Sequence, residues 1–472
     1  MSRAVGRPKR TASARDSQPT ALSHASGIHA DTPARFLTNS ALLAGCSQAE
    51  VVSAYTGILP SHRRSCRLLQ SMSREHRKPA MSARSIHPFP ARMAPEIALN
   101  AIPEKGRKNR LTVIDPMCGS GTVLTAAIRR GQNAIGVDID PLAVLMSQVA
   151  TAPIDTALLS HTAEEIRATA KVQGGAPPWK DSETAKFVDF WFGAPQKRDL
   201  VAITSAIGAV HDPDIRAALR VALSRIIITK SPQASLAADT SHSRPHRVLS
   251  TSDYDVLSGF SASVRSLKRL LDVRVATGSA TVQRGDSRIL GGIESASADL
   301  VVTSPPYLNA LDYMRGHKLA LVWFGYPLAE LRALRGSSIG AERAPDTEPC
   351  ERVSELVAFI QKDVLNPDLL PNGTLQRFAT DMVGIASAIR RVLKRQRKAI
   401  LVVGNSTLRG NYIRNDVIAQ KALEHVGFSV CSRVERDIPA TSRYMAINTR
   451  SETSAIKNRM RSEVILTMSA VA

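Results

Sequence analysis

The residues best suited to chemistry in this 472-residue chain are Thr303-Ser304-Pro305-Pro306-Tyr307. Pro305 and Pro306 stiffen the backbone and remove two main-chain donors, so the turn offers the Ser304 hydroxyl and the Pro305 carbonyl as acceptors. Such a pair suits an amino group whose lone pair is delocalised into an aromatic ring. Accepting its two N–H hydrogens lets the nitrogen become more tetrahedral and aim its lone pair at an electrophile. The Tyr307 ring can stack on a planar heterocycle. Taken alone, Ser-Pro-Pro-Tyr also reads as an ordinary turn. Its position favours chemistry, because Asp299-Leu300-Val301-Val302 before it reads as a buried strand and open α/β sheets bind ligands at strand carboxyl ends.

A second constellation lies upstream. Asp115-Pro116-Met117-Cys118-Gly119-Ser120-Gly121-Thr122 falls between the strand-like LTVID and the helix-like TVLTAAIRRG. Glycines there let the backbone approach a ligand, and the helix start points amides at it. In the next strand Asp138 of Gly136-Val137-Asp138-Ile139-Asp140 follows the first glycine by about twenty residues, the spacing at which a Rossmann-like acid reaches adenosine ribose hydroxyls. Asp140 reads as a helix N-cap before PLAVLMSQ. A dinucleotide dehydrogenase fits this layout less well, since the third residue after Gly121 is Leu124 rather than glycine.

The elements that must position these residues alternate between strand and helix. Strand patterns recur at NAIGVDID, ATVQRGD, ADLVVT, RKAILVVGNS and SEVILTMSA, so an α/β sheet is expected. Residues 1–40 read as a basic, disordered tail, 41–150 as an N-terminal segment with the cofactor half, 151–280 as a helical insertion, and 281–472 as the catalytic half. The insertion carries helical apolar spacing in DLVAITSAIGAV and DIRAALRVALSRIII and is a candidate DNA-contact region, because a polar, basic segment with Arg244, His246 and Arg247 interrupts it. Asp312 and Tyr313 either line a base pocket or serve as cap and core. The basic run from Arg390 to Lys398 is expected to be a solvated helix face or a phosphate track.

Charge narrows the partner. Lysine and arginine number 62 against 41 acidic residues, a formal +21, which points to a polyanion and first to nucleic acid. Five single cysteines show no metal-ligand spacing, so neither zinc nor a disulfide framework is indicated. With no leader-like or membrane-spanning apolar run, a cytoplasmic, nucleoid-associated protein of bacterial type is expected.

Together these residues resemble the amino-group DNA methyltransferases, which make N4-methylcytosine or N6-methyladenine. Asp115 to Thr122 is similar to that family's cofactor glycine motif and Asp138 to its ribose acid. Gly285-Asp286-Ser287 is similar to the motif whose acid faces the adenine amino group, and Ser304 to Tyr307 to its catalytic loop. His87-Pro88-Phe89-Pro90-Ala91-Arg92 and the residues after it resemble a segment that packs over the methionine end of the cofactor, where Arg92 meets its carboxylate. The motif order is like that of the gamma-type branch. The resemblance implies a Rossmann-like S-adenosylmethionine-dependent methyltransferase sheet with a largely helical insertion, S-adenosylmethionine as cofactor, and duplex DNA with a flipped target base as substrate. It also allows a cognate restriction endonuclease as partner. Serine at the first catalytic position favours cytosine N4 over adenine N6. A C5-cytosine enzyme would need a cysteine nucleophile, whereas Cys118 lies inside the cofactor turn and reads as packing. Methylation of RNA amino groups and a catalytically silent DNA-binding module are the alternatives.

Overall fold

A computed structural model describes residues 85–88, 92–106, 109–238, 245–308, 312–339, 350–439 and 461–471. The expected N-terminal tail, Cys46, Cys66, part of the His87 to Arg92 segment and Arg244 lie outside the described residues. Among the described residues, regular structure opens with α1 (Pro95–Ala101), whose first residue is a proline with its φ already helical. An alternation follows: β1 (Thr112–Asp115), α2 (Thr122–Arg129), β2 (Asn133–Asp138) and α3 (Pro141–Thr151). Next come α4 (Thr156–Val172), α5 (Ser182–Trp191), α6 (Ala194–Gly208), α7 (Pro213–Ile227) and α8 (Val256–Asp272), where the helical insertion was expected. The chain then runs through β3 (Ser279–Arg284), β4 (Ala298–Thr303), α9 (Met314–Leu321), α10 (Leu328–Ser337), α11 (Glu351–Asp363) and α12 (Asn372–Val392). It closes with β5 (Leu393–Gly404), α13 (Asn415–Glu424), β6 (Phe428–Asp437) and β7 (Ser462–Ala470).

Seven strands form one sheet in the order β6-β7-β5-β4-β1-β2-β3. Pairing is parallel except at β7, which runs antiparallel to both β5 and β6. This is a Rossmann-like α/β fold. Its strand order reverses between β1 and β4, which opens a crevice at their carboxyl ends. The period of two in each strand divides the core between two faces. Val113, Leu300, Val302, Ile400 and Val402 pack under α1 and α2, while Ile114, Val301, Ala399, Leu401 and Val403 pack under α12 and α13. Burying each of these valines, leucines and isoleucines contributes about 1.5–3 kcal/mol. A third core joins α3 through α8 to α9, with Leu159, Ile203, Leu219, Phe260 and Trp323 at 2% exposure or less. The helical layer thus packs directly on the helix that follows the catalytic loop.

One expectation changes, and one strand has no counterpart among the sequence patterns. The basic run is not one helix face: α12 ends at Val392 and β5 begins at Leu393. Arg391 caps the carbonyls of Ile289, Leu290 and Ile293, while Lys394 and Arg397 pair with Asp299. The strand β6 carries no buried stripe, only Phe428 being buried in its run of Ser, Arg and Glu, so its sequence shows none of the alternation that marks a core strand.

Candidate active site

The glycine turn is built by backbone geometry. Gly119 and Gly121 both adopt left-handed φ, 51° and 82°, and a Cβ on Gly121 would lie 3.1 Å from Ser147 Oγ. Gly121 is the N-cap of α2, so the first turn of that helix, beginning at Thr122, leaves N–H groups without intrahelical partners. Ser147 on α3 donates to the Gly119 carbonyl at 2.8 Å. Pro116 and Cys118 are buried, and Cys118 packs on Gly136, where a Cβ would come within 3.1 Å of its Sγ. Burial first, then the charges of Asp138 and Asp115, push the Cys118 thiol well above its usual pKa. That fits packing rather than nucleophilic chemistry.

Two carboxylates face this turn. Asp138 closes β2, with Oδ2 accepting from Gly119 N at 2.8 Å and Oδ1 from Asp140 N at 3.0 Å. Burial, reinforced by Asp140, pushes its carboxyl up to about 6. Asp115, at the end of β1, accepts from Met117 N and from the Thr303 hydroxyl, the latter at 2.8 Å. Burial raises it to about 7 against those hydrogen bonds. Asp115 therefore joins the glycine turn to the base of the catalytic loop. Asp140 caps α3 through Leu142 N, as expected, and also pairs with the buried His317 of α9.

The Ser-Pro-Pro-Tyr loop leaves β4 beside this turn. Ser304 donates its hydroxyl to Val402 O at 2.8 Å, so toward any other group its oxygen acts only as an acceptor. Burial raises the Tyr307 phenol above its usual pKa despite hydrogen bonding with Ser304 and the Gly404 backbone, and the ring packs against the core under α12. The far end of the loop is pinned by two residues that sequence reasoning passed over. Asn415 Oδ1 accepts from Leu308 N at 3.0 Å, Ser406 Oγ donates to Leu308 O at 2.6 Å, and Asn415 Nδ2 donates to Ser406 Oγ at 2.9 Å. Their one sequence signal is a polar Gly404-Asn405-Ser406 directly after a buried strand.

The remaining expected residues divide. Asp286 follows β3, and Gly285 N bonds Asp138 O at 2.9 Å, so it lies next to Asp138. Burial opposes ionisation there, but hydrogen bonds from Arg288 hold Asp286 below its usual pKa, and Arg288 also reaches Asp381 and the Ser337 carbonyl. Arg92 is exposed just before α1. Asp312 pairs with Arg315 and Arg335 and makes no side-chain cap at α9, while Tyr313 stacks on His317. His246 and Arg247 form an exposed two-residue ribbon with Ala237–Ala238, and Arg247 lies over the Phe190 ring of α5, 5.0 Å from its centroid. Among the described residues no cluster of metal-ligating side chains occurs, and no helix is long and apolar enough to cross a membrane.

The glycine turn and Asp138 fit an adenosine-bearing cofactor. Left-handed glycines clear the approach, the α2 start offers amides, and a carboxylate stands one strand away.

No family model matches the chain. Over 148 residues it is 27% identical to the Type II methyltransferase M.MvaI of Kocuria varians, a stretch covering 30% of this chain and 33% of that protein. The chain thus spans about a third of that relative's length. It is 22% identical over 391 residues to the Type II methyltransferase M.BsoBI of Geobacillus stearothermophilus, covering 71% of this chain and 76% of that protein. A SAM-dependent methyltransferase structure from Methanosarcina mazei aligns over 77% of this chain and 94% of that one, at 8% identity and a TM-score of 0.28. A likeness of that size adds nothing to what the sheet order already establishes.

Proposed function

We propose that the chain transfers a methyl group from S-adenosylmethionine to the exocyclic amine of a flipped base in duplex DNA, cytosine N4 being favoured. The observation that carries this reading is the junction of the two motifs. Thr303, the residue before the Ser-Pro-Pro-Tyr turn, is hydrogen-bonded through its hydroxyl to Asp115 at the start of the glycine turn, so donor site and acceptor loop share one crevice. The named Type II methyltransferase relatives and the +21 charge support DNA as the substrate.

In this reading Gly119, Gly121 and the α2 start cradle the cofactor, Asp138 accepts from its ribose and Asp286 from its adenine amine, with Arg92 meeting its carboxylate. Bound S-adenosylmethionine supplies an electrophilic methyl. The acceptor-only face of Ser304 and the Pro305 carbonyl take the two N–H hydrogens of the target amine, and Pro306 holds the turn rigid. Tyr307 stacks on the base, which must leave the duplex to enter such a pocket. Tyr313, Arg247 and His246 are candidates for contacts to the rest of the DNA.

The test is to incubate the purified chain with labelled S-adenosylmethionine and either duplex DNA or total RNA, then to identify the methylated nucleoside by mass spectrometry. N4-methylcytosine in DNA is expected. Label confined to RNA would overturn the reading, and N6-methyladenine would overturn its base assignment.

A further inference from the structure

One buried titratable pair takes no part in the chemistry above. His317 on α9 is 2% exposed, and its Nδ1 faces Asp140 Oδ2. An ionised carboxylate has only acceptors, so Nδ1 carries the proton and donates it. The imidazole stacks on Tyr313, with ring centroids 6.1 Å apart and planes inclined by 24°. Asp140 in turn caps α3 through Leu142 N at 2.8 Å, and its own N–H donates to Asp138 Oδ1 at 3.0 Å. The second Asp138 oxygen is held by Gly119 N at 2.8 Å. A continuous run of contacts therefore joins the helix after the catalytic loop to the carboxylate that ends β2.

We propose that His317 is a positioning residue for the cofactor: from α9 it fixes the Asp140 carboxylate, and through the Asp140 main chain it fixes the rotamer in which Asp138 meets the ribose. This rests on the reading of Asp138 as the ribose ligand. The terminal torsion of an aspartate is soft, and the hydrogen bonds that hold Asp138 come from the main chain of Gly119 and Asp140, so these two donors set its orientation. One of them belongs to Asp140. Removing the His317 donor leaves a buried carboxylate short of a partner, and the turn from Asp138 to Asp140 relaxes to recover hydrogen bonds.

The test is calorimetric titration of the full chain with S-adenosylhomocysteine and with its analogue lacking both ribose hydroxyls. His317→Asn keeps a donor near the Nδ1 position, whereas His317→Leu fills similar space without one. His317→Leu is expected to bind S-adenosylhomocysteine about tenfold more weakly than the parent, and His317→Asn within about threefold. The dideoxy analogue is expected to bind all three proteins alike. Equal weakening of both ligands in His317→Leu would overturn the proposal, because it would mean general loosening, and so would unchanged affinity for S-adenosylhomocysteine. If His317→Leu does not fold, Asp140→Asn replaces it, retaining the α3 cap while removing the charge that faces His317. A parent chain that binds both ligands equally overturns the ribose role of Asp138, and one that binds neither overturns the cofactor reading itself.

Discussion

The glycine turn and the catalytic loop both sit on buried strands of one sheet, yet they are held in different ways. From Asp115 to Asp138 the site is assembled within 24 residues, by left-handed glycines and a strand-end acid whose partners are main-chain N–H groups. The loop from Thr303 to Leu308 depends on distant groups: Asp115, Val402, Ser406 and Asn415. Local backbone geometry builds a binding site with few requirements on the rest of the chain. The Ser-Pro-Pro-Tyr turn, proposed to meet the second substrate, is braced from several strands, so more substitutions can disturb it.

The largest expected effect separates the two regions. Ser304→Ala and Tyr307→Ala are each expected to lower kcat at least about a hundredfold, with the Kd for S-adenosylmethionine within about threefold of the parent. Unchanged turnover in Tyr307→Ala, measured with duplex DNA in excess, would remove the stacking role. The converse change is Asp138→Ala, expected to weaken cofactor binding by roughly tenfold to a hundredfold. Here the cofactor Kd is the readout, and a loss confined to kcat would show that Asp138 serves the wrong half.

Acidity sharpens the same contrast. Asp138 is raised to about 6, so below that pH it is protonated and one oxygen becomes a donor rather than an acceptor for ribose hydroxyls. With Asp138 as the proposed ribose acceptor, cofactor affinity is expected to be full well above pH 6 and to fall as pH drops through that value, by up to about tenfold per unit. Titrations from pH 5 to 8 should show this fall, and Asp138→Asn should flatten it. The effect on folding has its own sign. Raised carboxyls bind more protons in the folded than in the unfolded chain, so Asp115 and Asp138 make the fold lose stability as pH rises from their ordinary value of 3.8 toward 7.

The smallest expected effect falls on the contact that joins the regions. Thr303→Val removes the 2.8 Å bond to Asp115 without much change in volume. It is expected to cost about 1–2 kcal/mol in urea titrations and to shift both Kd and kcat by about threefold. A change in only one of the two constants would mean that the regions are positioned independently.

Legibility in the sequence follows the same division. The strands β1, β2, β4, β5 and β7 show apolar, β-branched patterns because the sheet buries them, whereas the edge strands β3 and β6 bury at most one residue each and β6 shows no such pattern. Gly119, Gly121 and Asp138 are readable because their spacing is itself the geometry. His317 is not, since its partner Asp140 lies 177 positions away and nothing in Asp312-Tyr313-Met314-Arg315-Gly316-His317 marks it. Asn415 was passed over for the same reason, at 107 positions from Leu308. The basic run was misread because charge density alone does not reveal where a helix ends, and Arg391 serves three carbonyls that no local pattern announces.

The strand β7 lies between β5 and β6, antiparallel to both, although it follows them in the chain. During synthesis, β5 must therefore wait with one edge unpaired, and β6 with both, until residues 462–470 emerge. Completion of the sheet is therefore expected late in folding, when exposed strand edges are open to pairing with other chains.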